Sequence, residues 1–428
     1  MRAAWSLATV VALATGQGPT QIDEAPPVLR RLTAWSWSLA ATTPTATARD
    51  VALRILLHLR AGDGESGWRA LAAATANDER DATWLVIAWL WQVRATGTCR
   101  LPEAQRTALL ASLAPARSAP RDASFAGESL RVHALFAAGA VLDRLAIGDR
   151  AAEWTAAAVR RQVALEASHW QPERAVFRPF VRDGDVDAPM RADATTLLPP
   201  ALGMVLATGD CMARHLAQAF CDTTPAAGSA PDGWCAALRL VAATQRLDER
   251  GRRTAWRELV QADPQALPAE HAPLIADAAW FALTGARLAT GAGLDESWQR
   301  FAPWLPADCE RLVVRDLLAG GARYDLALTV RDGPLRDDER DDTAHVQDGG
   351  PRLHAHLRLR ATADGAPRTV VFAGDGMQTL QLMHPGETFA CSLPRVQAQP
   401  HDDPHPVGRS RRTGILPGSA PTATTGGR

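Results

Sequence analysis

The sequence contains no lysine and a single tyrosine, Tyr324. Its 46 basic residues are therefore all arginine, set against 47 acidic ones for a formal net charge of -1. Nucleic acid or an anionic membrane surface would call for a concentrated basic excess, and none is present. The arginine-only complement accompanies a wealth of Ala, Gly and Pro and reads as coding-base composition, not as a recognition device. Cysteine is sparse: Cys99, Cys211, Cys221, Cys235, Cys309 and Cys391 are scattered, with no CxxC pair and no compact framework. A chain this large does not need disulfides, so these residues read as free thiols in a reducing, cytoplasmic compartment. No uninterrupted apolar run is long enough to span a bilayer. GxSxG, Walker and GxGxxG patterns are missing from the contexts that would give them meaning, which excludes nucleophile-elbow and nucleotide-loop chemistry.

What is present is a chain of 428 residues with 46% apolar content, enough for a real core and more than one domain. Apolar residues recur at helical spacing near 2–15, 27–40, 47–60, 82–97, 103–114 and 127–147. They continue near 150–169, 193–208, 210–221, 231–247, 251–262 and 273–290. Gly16, Gly62, Gly97, Gly148, Gly209 and Gly291, with Pro102, Pro172 and Pro268, stand between these segments as stop signals. About a dozen helices joined by short turns predict antiparallel helical hairpins. The opening MRAAWSLATVVALATG has the form of a signal peptide and equally of a core helix ending at Gly16; the helix is the reading adopted.

After Pro306 the character changes. ERLVVRDLLAGGARYDLALTVRDG, LHAHLRLR, RTVVFA, MQTLQLM and TFACSL are short β-rich runs punctuated by Gly-Gly and Asp-Gly. They predict an antiparallel β-domain over 306–394. From 395 to 428 the composition is rich in Pro, Gly, Ser and Thr, which predicts a disordered tail.

Three helical segments carry a resemblance. ERDATWLVIAWLWQVRATG (79–97) joins an Asp, small residues, an aromatic and an apolar helix to a TG end. GESLRVHALFAAGAVLDRLAIGD with HWQPERAVF gives a Gly-acid start, an apolar helix and an aromatic turn. RADATTLLPPALG (191–203) gives an acidic helix start. In this order and spacing they resemble the six-hairpin glycoside hydrolases, particularly glycogen-debranching-type glucosidases and neutral invertases. VVRDLLAGGARYDLAL also resembles the segment that follows the helical ring in several of these enzymes. The chain departs from the family at its WPW hairpin, present only as DGWCAALRLV (232–241), and at its late PE turn, present as LPAE (267–270). The resemblance implies a mainly α fold: an (α/α)6 toroid of helical hairpins over 1–305, followed by the small antiparallel β-domain.

It also implies inverting hydrolysis of an α-glucoside or related bond, without a cofactor or metal, and carbohydrate as the partner. Inversion needs one carboxyl to protonate the leaving oxygen and a second to activate water on the opposite face. The resemblance assigns Asp81 as the acid and Glu270 as the base, with Glu128 and Asp193 as substrate-binding acids at helix starts. Trp68, Trp84 and Trp234, near helix starts and turns, are the rings offered to a sugar, although Trp more often fills cores. Each acid has a structural counterpart: Asp81 and Asp193 as caps, Glu128 as a charge at a helix N-terminus, Glu270 as a solvated loop residue.

Two motifs do not carry chemistry on this reading. DDERD (337–341) spells a diphosphate-binding pattern but sits in a charged run between β-segments. His354 and His356 share one side of a strand without a third ligand at readable spacing. The alternative function is a carbohydrate-binding or scaffold relative that has lost catalysis. A toroidal lyase ranks last, because its usual Tyr is missing from the helical region.

Overall fold

The computed structural model describes residues 21–24, 26, 29–30, 34, 47–181, 192–203, 209–225, 232–262, 271–286, 298–307, 309–332, 351–374 and 377–394. The helix expected at 2–15, nearly all of the one at 27–40, the DDERD run and the 395–428 tail lie outside them.

Strand β1 (Gln21–Glu24) precedes the helices. Helix α1 (Ala48–Arg60) starts at a capping box, in which Thr47 and Asp50 each take the other's backbone N–H. Asp63 caps α2 (Gly64–Ala73) and Asp78 caps α3 (Glu79–Thr96), which stops at Gly97 in the left-handed region. Then come α4 (Glu103–Leu113), α5 (Phe125–Arg144, capped by Ser124) and α6 (Gly148–His169). A two-strand hairpin, β2 (Trp170–Gln171) and β3 (Val176–Phe177), is followed by a 3-10 turn, Ala194–Leu197, that runs into α7 (Leu198–Ala201). Helices α8 (Gly209–Asp222), α9 (Gly233–Gln245), α10 (Glu249–Gln261) and α11 (Ala272–Thr284) complete the helical part. The expected helices of this region are present within a few residues of their expected ends, except that the described residues of 193–208, which stop at 203, hold only the 3-10 turn and α7. Helix α2 lies in a stretch not expected to be helical.

Packing separates the helices into two sets. Helix α1 packs on α3, α3 on α5, α5 on the 3-10 turn and α7, these on α9, α9 on α11, and α11 back on α1. Helices α2, α4, α6 and α10 each pack on the preceding member of that circuit, and α8 packs on α9 and the 3-10 turn. The burial of α3 follows from its place: from Ala82 to Ala95 every residue is buried, the signature of a helix enclosed on all sides. Helix α5 has the length and hydropathy of a membrane span, which the sequence reading did not credit to any segment. In the fold, 67% of that window is buried, packed between α3 and α6.

The β-region is two sheets. One has the order β1-β5-β6-β7-β10, with β5 Arg311–Ala319, β6 Ala322–Asp332, β7 Pro351–Thr362 and β10 Thr388–Pro394, all pairs antiparallel. The other is β4-β8-β9 (Trp298–Phe301, Arg368–Gly374, Met377–Met383), in which β4 runs parallel to β8. Strands β1 and β4 come from segments ahead of residue 306, so both sheets recruit chain from outside the expected 306–394 span. One apolar cluster runs from Trp256, Trp280 and Phe281 through Phe301 to Tyr324, Leu326 and Phe372. Tyr324 is fully buried, with its ring edge-on to Phe301, and desolvation pushes its phenol up from the usual value.

His215 of α8 shows how the hairpin is held. Its Nδ1 accepts the Phe177 N–H at 3.2 Å, so its proton sits on Nε2 and is donated to the Thr196 carbonyl at 3.1 Å. Burial holds this imidazole at about 4, below the ordinary 6.5, and does the same to His58. A group whose folded pKa is depressed by favouring the neutral form contributes stability above its unfolded value and loses it as pH falls from 6.5 toward 4. Replacing His215 by Gln is therefore expected to flatten the fall in denaturation midpoint between pH 7 and 4.5 by about one proton. An unchanged slope would contradict the assignment.

Candidate functional site at the helix starts

Several neighbours in this circuit touch one another near their starts. At the beginning of α1, Arg49 donates to His271 Nδ1 at 3.1 Å, and His271 is the N-cap of α11. The same guanidinium lies over the Trp84 ring, 5.8 Å from its centroid, in the second turn of α3. His271 in turn stacks on Trp234, in the first turn of α9, with centroids 4.0 Å apart and planes 15° from parallel. Trp84, Arg49, His271 and Trp234 thus form one continuous row across four helix starts. Arg131 of α5 reaches Glu79, the first residue of α3, at 2.5 Å. Asp193, which opens the 3-10 turn, acts electrostatically on Cys235 in the first turn of α9.

Asp81 stands three residues before Trp84 on α3, on the same helix face. It is not the cap of this helix: Asp78 is, accepting the Asp81 N–H at 2.8 Å. Asp81 Oδ2 accepts instead from the Asn77 backbone N–H at 3.2 Å and side-chain amide at 2.9 Å, and its side chain is half-buried. Asp193 does cap, its Oδ1 taking the Thr195 and Thr196 N–H groups and the Thr195 hydroxyl. Beside it, Cys235 donates its thiol to Asp232 at 3.0 Å; burial first, then that carboxylate, pushes the thiol up to about 12. A thiol so held is not a nucleophile at neutral pH.

Of the remaining residues singled out from the sequence, Glu128 and Trp68 do not join the row. Glu128 opens α5 as expected but is 1% exposed. Its oxygens accept from Arg161 Nε at 2.8 Å and Nη2 at 2.9 Å, Arg131 Nη1 at 2.9 Å, and the Asp122 N–H at 3.0 Å. Four donors converge on the carboxylate, one on Oε1 and three on Oε2, so it ties the 119–124 loop to α5 and α6. Trp68 lies on α2 and lines a cleft against β6 and β7, among the ends of α1 and α3, away from their starts. Glu270 lies outside the described residues, although its neighbour His271 is in the row.

Arg49 and His271 were not found from sequence. Their bond joins positions 222 residues apart, and nothing in either local pattern announces it. His354 is buried and His356 half-buried on β7. Among the described residues no group of three or more His, Cys, Asp or Glu is placed to hold a metal ion. The six cysteines are all free.

No family profile matches the sequence, and no curated protein is similar to it in sequence. In structure the chain is similar to a native α-L-rhamnosidase from Aspergillus terreus, at a TM-score of 0.53 and 11% identity, over 89% of this chain and 50% of that one. A GH78 family rhamnosidase of Bacillus sp. GL1 gives a TM-score of 0.44 and 12% identity, over 73% of this chain and 40% of that one. This chain spans about half the length of the first enzyme. Neither neighbour is a glycogen-debranching glucosidase or a neutral invertase. The helical part with its β-region is therefore similar in fold to part of the Aspergillus terreus enzyme.

Proposed function

We propose that the inner circuit is the wall of an (α/α)6 toroid, with the β-domain of 306–394 at its other end, and that the protein is a cytoplasmic, glycoside hydrolase-like, carbohydrate-acting protein. The observation that carries this reading is the meeting of helix starts in a row of Trp84, Arg49, His271 and Trp234, with Asp81 one turn before Trp84 on α3. A half-buried indole, Trp234, beside charged and polar donors suits a sugar ring, whose C–H face is apolar and whose rim is hydroxylated, while Trp84, 6% exposed beneath Arg49, backs the row. Asp81 is the proposed general acid and Glu270, adjacent to His271, the proposed base of an inverting hydrolysis. Trp84, Trp234 and Asp193 are the proposed substrate contacts. The bond cleaved is an α-glucoside or, by the structural likeness, an α-L-rhamnoside.

One observation favours a second reading, a carbohydrate-binding relative without catalysis. Asp81 and Asp193 each spend an oxygen on their own helix start, as do Asp50, Asp78 and Asp232. Release of sugar from α- and β-glucosides, sucrose, trehalose, malto-oligosaccharides and α-L-rhamnosides by the full chain separates the two. Hydrolysis that falls by at least about a thousandfold in Asp81→Asn supports the enzyme, since general acid catalysis alone supplies roughly 10²–10⁴. A folded protein that binds but turns over none of these sugars supports the binding relative.

A further inference from the structure

The ends of α1 and α3 border a cleft of about 430 Å³. Its floor is the α1–α2 connection with Asp63 and Glu65, and Trp68 of α2 forms one side. Arg100, beyond the end of α3, and Arg323 of β6 stand over it. Ala95, Gly321, Ala322, Ala361 and Ala363 keep it open, because none carries a side chain long enough to fill it.

The charges in this cleft balance: Arg100 pairs with Glu65, while Arg323 donates to the Gly62 carbonyl at 3.1 Å. Asp63 uses Oδ1 to cap α2, taking the Ser66 N–H at 3.0 Å, and keeps Oδ2 3.9 Å from His58 Nδ1. A net anion or cation therefore finds no excess field here. What remains are donors and acceptors side by side, since a guanidinium has five N–H groups and a carboxylate about four lone-pair positions. The walls also contain two buried polar atoms without a hydrogen-bond partner, the Trp68 indole nitrogen and the Thr362 hydroxyl, and Trp68 is 5% exposed. Vicinal hydroxyls, each able to donate and to accept, match alternating guanidinium and carboxylate groups; an apolar ring face matches the Trp68 and Ala95 side. The volume lies in the range of small-molecule pockets and suits one or two sugar rings.

We propose that this cleft is a second carbohydrate site, specific for a neutral mono- or disaccharide unit and separate from the helix-start site. It requires no hydrolysis at the other end and would operate in either functional reading. The test is ligand-observed NMR titration of the full chain with methyl α-L-rhamnoside, methyl α-D-glucoside and maltose. The titrations use wild type, Trp234→Ala, and Trp234→Ala combined in turn with Arg323→Ala, Arg100→Ala or Ala361→Trp. In the Trp234→Ala background, at least one of these glycosides is expected to bind saturably. Adding Arg323→Ala or Arg100→Ala is expected to weaken that binding roughly tenfold, the loss of one hydrogen bond to a charged group. Ala361→Trp, which fills the space without removing a charge, is expected to abolish it. Absence of saturable binding in Trp234→Ala would overturn the proposal, as would binding indifferent to all three cleft substitutions.

Discussion

Gly285→Ala is expected to destabilise the protein by about 4 kcal/mol or more, the range reserved for severe lesions. Gly285 ends α11 with φ +64, donating its N–H to the Phe281 carbonyl at 2.8 Å. A Cβ placed there lands on the backbone N, Cα and C of Ala302, well inside van der Waals contact. Ala302 is itself buried, and Trp304 returns to the same helix end through its N–H to the Leu283 carbonyl at 3.1 Å. Neither chain can yield without separating α11 from the strand that joins it to the sheet. Gly365→Ala is the matched control. Its φ is +71 but a Cβ meets nothing within 4 Å, so it carries only the left-handed strain of about 1–2 kcal/mol. Urea midpoints with unchanged slope measure both. Equal losses would mean that the contact with Ala302 is not there.

Glu128→Ala is expected to cost about 3–5 kcal/mol, because it leaves buried arginine charge without its counterpart. Arg161 is 8% exposed and directs Nε and Nη2 at Glu128; its other bonds go to the neutral carbonyls of Ala119 and Pro120. Arg131 keeps Glu79 after the substitution, so the loss falls on Arg161 and on the Asp122 N–H. Adding Arg161→Met should therefore recover part of the stability, and the double-mutant cycle reads the coupling directly. A Glu128→Ala protein as stable as wild type that had lost sugar affinity would return Glu128 to the substrate-binding role first assigned to it.

The helices were legible where the chain announces them locally. The unbroken apolar run of α3 and its stop at Gly97 mark that helix, and Gly62 stands just beyond α1. The caps at Asp78 and at Thr47 with Asp50 were not read from the sequence, which pointed to Asp81 as the α3 cap instead. Helix α2 was not expected: its ten residues contain two glycines, and its cap at Asp63 and its packing on α1 and α3 hold it as a helix. Strands β1 and β4 were not readable: Ile22 pairs with Val314 and Trp298 with Thr369, and no local pattern encodes a partner so distant. The candidate site divides along the same line. Asp81, Trp84 and Trp234 sit at helix starts that sequence marks; Arg49 and His271, which join them, became visible only once α1, α9 and α11 were packed together. Glu128 was correctly placed at a helix start, but its four donors come from a loop and two helices that spacing along the chain cannot count.

The most direct test of the central claim is a crystal structure of the full-length Asp81→Asn protein soaked with an oligosaccharide chosen from the turnover panel. The account predicts a sugar ring against Trp234, with Arg49 on its rim and the residue at position 81 within hydrogen-bond reach of a glycosidic oxygen. Sugar bound only in the cleft beside Trp68, with the helix-start row empty, would contradict it.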